Sequence, residues 1–295
     1  MMSLLPDSNS ISSDSDEDFK YACSVPEARL FVENLWNRYR EHADKDFAQK
    51  IPTRFHDHFW EMYLACLLAD NGNNLLPKTK WKGPDIEIES AVFSRIWVEA
   101  TTASPGSGKD RVPQPEFDSK MWSWFSVPEE RIVLRYATAI DAKYQKYVQY
   151  TEENVVEKSD PYIIAVNGSK IPLSWDSDDD IPYIVQAVLP LGSPTIEISW
   201  DTPEEPTPGY AHRPEIVKVS GNSVPTNLFL DKKYEGISGV LSSRASIREF
   251  RGTMGMDFIF VHNPLALNKL PEGWLKIGRE FRFRGDSFQW TRWSE

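Results

Sequence analysis

The sequence has little cysteine, no long apolar run and no excess of positive charge. Cys23 and Cys66 are the only cysteines among 295 residues, which excludes a disulfide framework and a cysteine-rich zinc site. No stretch approaches the roughly 18 continuous apolar residues that cross a bilayer, and the apolar start at residues 1–6 is too short for a signal peptide. We therefore expect a soluble, cytoplasmic protein with no membrane partner.

The charge balance is acidic. The chain has 33 Lys plus Arg against 44 Asp plus Glu, for a net charge of −11, which argues against a protein whose whole surface binds nucleic acid. Acidic residues cluster near residues 14–18 and 176–180, so the remaining surface is closer to neutral and a local basic cleft stays possible.

Hydrophobic spacing predicts the order of elements. Residues 1–18 are rich in Ser and Asp and are expected to be a disordered acidic tail. Apolar residues recur at helical spacing in three segments, namely residues 26–41, 53–69 and 128–150. Strand-like patterns occupy three others, namely residues 85–88, 94–100 and 162–167, and a Pro/Gly/Ser-rich loop fills residues 104–115.

This order predicts an α/β fold in which helices cover a sheet. Residues 168–295 differ, because short apolar runs at 184–189, 239–241 and 257–261 are separated by Pro- and Gly-rich turns such as residues 202–210. We expect strands and long loops there, as a β-rich C-terminal extension of one domain that covers residues 19–295.

Three carboxylates stand where secondary structure can bring them together. Glu61 lies on the second helix, Asp85 begins a strand after Gly83-Pro84, and Glu99 ends the next strand. Neighbouring strands would place Asp85 and Glu99 at one edge of the sheet. Such oxygen ligands, joined by a backbone carbonyl, suit Mg²⁺ or Mn²⁺. The spacing alone fits three unrelated surface acids equally well.

Five segments follow one another over about residues 53–167, the last ending at Gly168: FWEMYLACLLADNG, GPDIEI, IWVEATT, RIVLRYATAIDAKYQKY and PYIIAVNG. In this order they resemble the PD-(D/E)xK nuclease superfamily, which has the restriction-endonuclease-like fold. The resemblance implies a central mixed β-sheet flanked by helices. It matches Glu61 to the helix Glu of that family, Pro84-Asp85 to its Pro-Asp element, and Glu99 to its second metal ligand.

The chain departs from the family pattern at Thr101, where a lysine is usual. Some members of the superfamily carry this lysine on the following helix, and Lys143 is the best candidate for it. With a rotation of about 100° per residue along the predicted helix, an apolar stripe is formed by Ile132, Tyr136, Ala139, Ile140 and Tyr147. Lys143 falls inside this stripe, and Lys146 lies at its border. The alternative is that Lys143 extends its flexible stem along a half-buried face.

The resemblance implies a metal-dependent nuclease that hydrolyses phosphodiester bonds, with Mg²⁺ or Mn²⁺ as cofactor and DNA as the expected nucleic acid. The metal would be held by Asp85, Glu99 and the backbone carbonyl of Ala100. Glu61 would orient a metal-bound water or help to hold a second ion. Lys143 would position the attacking water. Phosphate contacts are expected from five further cations: Lys109, Arg111, Arg131, Arg135 and Lys146.

The alternative function is a catalytically degenerate relative that serves as a nucleic-acid or protein interaction module, which Thr101 favours. A homodimer or a protein partner is possible in either case. The sequence does not distinguish DNA from RNA, or an endonuclease from an exonuclease.

Four other motifs invite competing interpretations. Residues 103–110 superficially resemble a phosphate-binding loop, but Asp110 replaces its Ser or Thr and prolines follow where a helix must begin. His56 and His58 are two residues apart on a helix, cannot share one ion, and are expected in capping or surface roles. Residues 176–180 predict a solvated turn. Trp122, Trp124 and Phe125 fit either the core or a base-stacking surface.

Overall fold

The computed structural model of the chain describes residues 3–7, 10–78, 83–115, 126–175, 181–197, 207–285 and 287–293. Its helices are α1 (Glu17–Ser24), α2 (Pro26–Tyr39), α3 (Phe47–Lys50), α4 (Phe55–Asp70), α5 (Glu129–Glu152) and α6 (Tyr183–Val188). The helices predicted over residues 26–41, 53–69 and 128–150 correspond to α2, α4 and α5.

Local sequence explains where these helices begin and end. Pro26 occupies the first turn of α2, where its missing N–H costs nothing. Helix α4 is apolar on nearly every side and is buried over most of its length, as expected for a helix inside a core. It stops at Asn71, and the next residue, Gly72, takes a φ of 81° that favours glycine.

The strands are β1 (Asn74–Leu75), β2 (Ile86–Glu89), β3 (Arg95–Thr102), β4 (Tyr162–Asn167), β5 (Leu191–Glu197), β6 (Thr207–His212), β7 (Glu215–Val217), β8 (Ser223–Pro225), β9 (Gly239–Ser243), β10 (Ile259–His262), β11 (Gly278–Arg284) and β12 (Ser287–Trp293). Eight of them form one sheet in the order β1-β2-β3-β4-β9-β10-β11-β12, and β5-β6 and β7-β8 form two separate hairpins.

The large sheet is mixed. Strands β3, β4 and β9 run parallel, as do β10 and β11, whereas the remaining neighbours are antiparallel. The predicted α/β class, with a central mixed sheet flanked by helices, is thus confirmed.

Two hydrophobic layers cover the two faces of the sheet. On β3, Ile96 and Val98 face the layer that contains α1, α2 and α4. Trp97, between them in sequence, faces the layer that contains α5 and α6. Because side chains alternate along a strand, Glu99 and Thr101 share the face of Trp97, beneath α5.

Two predictions in the C-terminal half are wrong. The apolar run at residues 184–189 was expected to be a strand, but most of it forms α6, which starts after Pro182. Since α6 is buried on nearly all sides, its sequence has no polar face to reveal the helical period. Of the Pro-rich turn expected at residues 202–210, residues 207–210 instead begin β6, which pairs with β5, and residues 202–206 lie outside the described part of the chain.

The expectation that residues 1–18 are disordered is also wrong for the described part of this segment. Leu4 and Leu5 are buried in the core, and α1 already begins at Glu17. Asp18 is buried and its carboxylate accepts hydrogen bonds from Lys170 and Arg248, far away in sequence. A composition rich in Ser and Asp conceals these contacts because their partners lie more than a hundred residues downstream.

Cys23 and Cys66 are buried free thiols. Within the described ranges, no helix combines the length and the apolar character needed to span a bilayer. The predictions for Trp122, Trp124, Phe125 and residues 176–180 lie outside the described residues.

Candidate active site

Asp85 and Glu99 lie together at one edge of the sheet. Strand β2 pairs with β3 in the register Ile86↔Val98, and extending this register by one residue places Asp85 opposite Glu99. Side chains directly opposite in an antiparallel pair project from the same face, with Cβ atoms about 4.5–5.5 Å apart. The predicted meeting of the two strand acids is therefore what the fold produces.

The backbone before β2 turns the Asp85 carboxylate toward β3. Gly83 has a φ of 154°, which side-chain-bearing residues rarely adopt, and Pro84 has no N–H to extend the ladder. The Ala100 N–H instead donates to Asp85 Oδ2 at 2.7 Å. Since the N–H and C=O of one strand residue point to the same side, the Ala100 carbonyl is directed to this edge as well.

Glu99 receives two lysines from α5. It is only 1% exposed, and its Oε1 accepts hydrogen bonds from Lys143 Nζ at 2.5 Å and from Lys146 Nζ at 3.1 Å. The Lys143 side chain is 14% exposed and that of Lys146 is 49% exposed. Lys143 thus points inward to the carboxylate, and does not extend along the helix face to solvent. Glu99 Oε2 is buried without a hydrogen-bond partner in the described structure.

The electrostatics of this edge are dominated by crowded carboxylates. Burial raises the pKa of Asp85 well above its usual value, the charges of Glu99 and Glu61 raise it further, and Lys143 and Lys78 offset this only in part. Burial alone would lower the pKa of Lys146, but the charge and hydrogen bond of Glu99 raise it instead. Burial, followed by the Glu99 charge, raises the pKa of Tyr150 to about 12.

Glu61 approaches the same edge from α4. It is buried, the Tyr39 hydroxyl donates a hydrogen bond to its Oε1, and its Oε2 lies 3.7 Å from His58 Nδ1. Tyr39 and Lys78 were not predicted as part of this site. No motif marks either residue, because α2 and the segment before β2 reach the site only through the tertiary fold.

The donor set suits a hard divalent cation held by two carboxylates. Within the described ranges, no group of three or more acidic, His or Cys side chains could hold a metal ion, and the role of Glu61 in orienting a metal-bound water or helping to hold a second ion stays a prediction. Mg²⁺ is commonly bound by one or two carboxylates, with water and substrate phosphates completing its shell. Asp85, Glu99 with its unpartnered Oε2, and the Ala100 carbonyl fit that requirement.

Four of the five predicted phosphate-contacting cations lie elsewhere. Arg131 Nη1 donates to the carbonyl of Arg111 at 3.3 Å, and the Arg135 guanidinium lies against Gly106. Arg135 is eight residues before Lys143 on α5, about 12 Å along the helix axis.

Lys109 and Arg111 belong to the same distant loop and are exposed. Of the five cations, only Lys146 is brought to the carboxylates.

The predicted surface roles of His56 and His58 are wrong. Both are largely buried. His56 Nε2 lies 3.2 Å from Asn167 Oδ1 and 3.0 Å from Ser169 Oγ. Burial, reinforced by the charge of Lys170, lowers the pKa of His56. As predicted from their spacing, the two histidines face different partners.

Comparison of the chain with protein-family models, with curated proteins and with solved structures yields no match. The function is therefore argued from the geometry of the site.

Proposed function

We propose that the chain is a metal-dependent nuclease of the PD-(D/E)xK type, which hydrolyses phosphodiester bonds of nucleic acid, with DNA as the expected substrate. One observation carries this proposal. Two strand acids, Asp85 and Glu99, meet at one sheet edge, and Lys143 of the adjoining helix is directed to Glu99 at 2.5 Å. An acid pair can hold a divalent ion that activates water for phosphodiester hydrolysis, and a neighbouring lysine can offset the charge that develops.

The residues at this edge have separate roles in the proposal. Asp85, Glu99 and the Ala100 carbonyl would hold Mg²⁺ or Mn²⁺, which when bound polarises a phosphodiester and lowers the pKa of a bound water. Lys143 would donate a hydrogen bond to the attacking water and offset the negative charge of the transition state.

Two further residues complete the proposed arrangement. Glu61, oriented by the Tyr39 hydroxyl, would accept a hydrogen bond from the same water. Lys146, which is half exposed, would contact a substrate phosphate.

The proposal is tested by incubating the purified chain with linear and circular DNA, and with RNA, in Mg²⁺, in Mn²⁺ and in EDTA. We expect cleavage only with the metals, and a loss of at least about 100-fold in Asp85→Asn and Glu99→Gln. Glu89→Gln is the matched control, because Glu89 lies on β2 but is exposed and accepts a hydrogen bond from Asn74. Unchanged cleavage in both site variants would reject this site.

A second candidate function is an interaction module without turnover, which binds nucleic acid or protein, as a monomer or as a homodimer. Two observations favour it: Lys143 and Lys146 already neutralise Glu99, and Thr101 occupies the position of the usual lysine. Calorimetric titration with Mn²⁺ separates the candidates. Binding that disappears in Asp85→Asn supports the nuclease, whereas DNA binding with no carboxylate-dependent Mn²⁺ binding supports the module.

A further inference from the structure

Three side chains of α5 follow one another along the helix face that covers the acid edge. Lys143, Lys146 and Tyr150 are separated by three and then four residues, the spacing that places side chains on one face of a helix. Lys143 and Lys146 both donate hydrogen bonds to Glu99. Tyr150, one turn beyond Lys146, is therefore the next side chain along this face.

The charges of the site act on the Tyr150 phenol. Burial is the largest cause of its raised pKa, the charges of Glu99 and Asp85 raise the pKa further, and the charge of Lys146 lowers it. Because interactions between charges weaken with distance, the phenol lies within range of both strand acids and of Lys146. With its pKa raised, the hydroxyl keeps its proton at neutral pH and can donate a hydrogen bond.

The other two tyrosines in this part of α5 have different surroundings. Tyr144 and Tyr147 are buried, and their rings lie 4.4 Å from the Tyr234 ring and 4.9 Å from the Tyr162 ring. Tyr150 is only half-buried, and its ring packs against the edge of the same layer. Among the described residues its hydroxyl has no hydrogen-bond partner. The ring of Tyr150 is thus fixed while its hydroxyl remains available to a ligand.

Lys146 indicates what that ligand is. It is 49% exposed, whereas Lys143 is 14% exposed, so solvent reaches the acid edge beside Lys146. Side chains four residues apart on a helix have Cβ atoms about 5–6 Å apart, so a phosphate bound by Lys146 lies within reach of the Tyr150 hydroxyl. Lysine and tyrosine side chains both contact the phosphates of nucleic acids.

We propose that Tyr150 is a further substrate-contacting residue of this site, and that its hydroxyl donates a hydrogen bond to the phosphate bound by Lys146. This inference rests on the proposed binding of nucleic acid at the site. The two donors have separate roles. Lys146 supplies a charge on a flexible stem, whereas Tyr150 supplies a neutral donor on a rigid ring, which sets the position of the phosphate relative to Asp85 and Glu99.

The test is the binding of fluorescently labelled DNA and RNA oligonucleotides to the full chain, single-stranded and duplex, measured by anisotropy in EDTA over a series of salt concentrations. Tyr150→Phe should weaken binding about five- to tenfold, because a hydrogen bond to a charged phosphate is lost. The slope of log affinity against log salt concentration should stay unchanged in this variant, since no charge is removed. In Lys146→Met the slope should become shallower by roughly 0.9 for duplex DNA and roughly 0.7 for a single strand.

Tyr147→Phe is the matched control. It removes one hydroxyl from the same helix, but the Tyr147 ring faces Tyr162 in the core, so binding should equal that of wild type. Tyr150→Phe keeps the ring that packs on the core and should unfold at the same urea concentration as the control. Lys146→Met/Tyr150→Phe should lose less affinity than the two single losses combined, because both residues contact one phosphate. Fully additive losses would overturn the shared phosphate.

Cleavage in Mg²⁺ separates this inference from the proposed nuclease. Tyr150→Phe should raise KM and leave kcat within about twofold, because the contact is made equally in the ground state and the transition state. If wild type cleaves DNA but Tyr150→Phe binds as tightly as Tyr147→Phe, the role of Tyr150 is overturned and the nuclease stands. If wild type binds but does not cleave, and Tyr150→Phe weakens binding, the nuclease is rejected and the contact stands. A wild-type chain that binds neither DNA nor RNA overturns the contact.

Discussion

Lys143 of α5 and Glu99 of β3 are 44 residues apart in sequence and form an ion pair of 2.5 Å between the helical layer and the sheet. The pattern expected from the resemblance places a lysine at residue 101, two positions after Glu99 on the same strand. Here the positive charge reaches the same carboxylate from the neighbouring layer. The arrangement has consequences for stability as well as for the proposed chemistry.

Lys143→Met should destabilise the chain by about 3 kcal/mol, because Glu99 is 1% exposed and removing one partner of a buried ion pair leaves a poorly compensated charge. Lys146→Met should cost less than about 1 kcal/mol, since that lysine is 49% exposed. Urea unfolding of each variant measures the difference. The double variant Glu99→Gln/Lys143→Met should recover most of the loss. Equal destabilisation by the two lysine changes would contradict this account of the pair.

Thr101→Lys should restore cleavage to Lys143→Met if the proposed nuclease activity is correct. Residue 101 lies two positions after Glu99, so both side chains project from the same face of β3. We expect Thr101→Lys/Lys143→Met to cleave DNA at least about tenfold faster than Lys143→Met alone, because the ammonium group of the new lysine would stabilise the negative charge of the transition state. Thr102→Lys in the same background is the control, because residue 102 projects from the other face, where its hydroxyl contacts Asp57. Equal rates in the two double variants would show that the position of the charge is irrelevant.

Asp85→Asn should stabilise the chain at neutral pH. Burial, with the charges of Glu99 and Glu61, raises the pKa of Asp85 above its usual 3.8. The folded chain therefore holds this proton to higher pH than the unfolded chain, and the free energy of unfolding falls as pH rises through that interval. Removing the charge should raise Tm by about 2 °C or more near pH 7. The Asn side-chain oxygen can still accept the hydrogen bond of Ala100.

Thermal melts of wild type and Asp85→Asn between about pH 4 and about pH 8 measure this effect. The stabilisation should shrink as pH falls toward 3.8, where wild-type Asp85 becomes protonated in both the folded and the unfolded chain. A variant that is less stable than wild type at neutral pH would show that the buried charge of Asp85 does not lower the free energy of unfolding.

The spacing of apolar residues predicted the core helices and strands, because the spacing that marks each element lies within that element. The apolar periods of α2, α4 and α5 and the position of β4 follow from residues adjacent in sequence. The meeting of Asp85 with Glu99 also followed, since it needs only that two consecutive strands pair. The position of Lys143 within the apolar stripe of α5 favoured an inward direction, but left open that its stem extends along the helix face to solvent.

Features that depend on distant partners were not predicted. Tyr39 reaches Glu61 from α2, and Lys78 acts on Asp85 from a segment with no motif. The cross-strand pair Arg279 and Arg292 depends on the register of β11 with β12, which composition does not reveal. Asp18, in the first turn of α1, has two hydrogen-bond partners that lie more than 150 residues downstream.

Asp18 should anchor the N-terminal segment, and Asp18→Asn should release it. Burial alone would raise the pKa of Asp18, but hydrogen bonds from Lys170 at 2.5 Å and Arg248 at 2.6 Å outweigh burial and lower it. The carboxylate therefore contributes stability that is present above its unfolded pKa of about 3.8 and is lost as pH falls through the lower folded value. Since both partners are partly exposed, the loss in the variant should be about 1–2 kcal/mol near pH 7.

Limited proteolysis and urea unfolding of Asp18→Asn test this anchor together. Cleavage near the N-terminus should become faster in the variant, because Leu4 and Leu5 pack on the same core as α1. Asp14→Asn is the control, since Asp14 is exposed and bonds only to its neighbours in the described structure. The stability difference between Asp18→Asn and wild type should diminish below about pH 3.8, because the carboxylate is protonated first in the unfolded chain and at lower pH in the folded chain. A difference that persists undiminished to low pH would mean that the shape of Asp18, and not its charge, holds the segment.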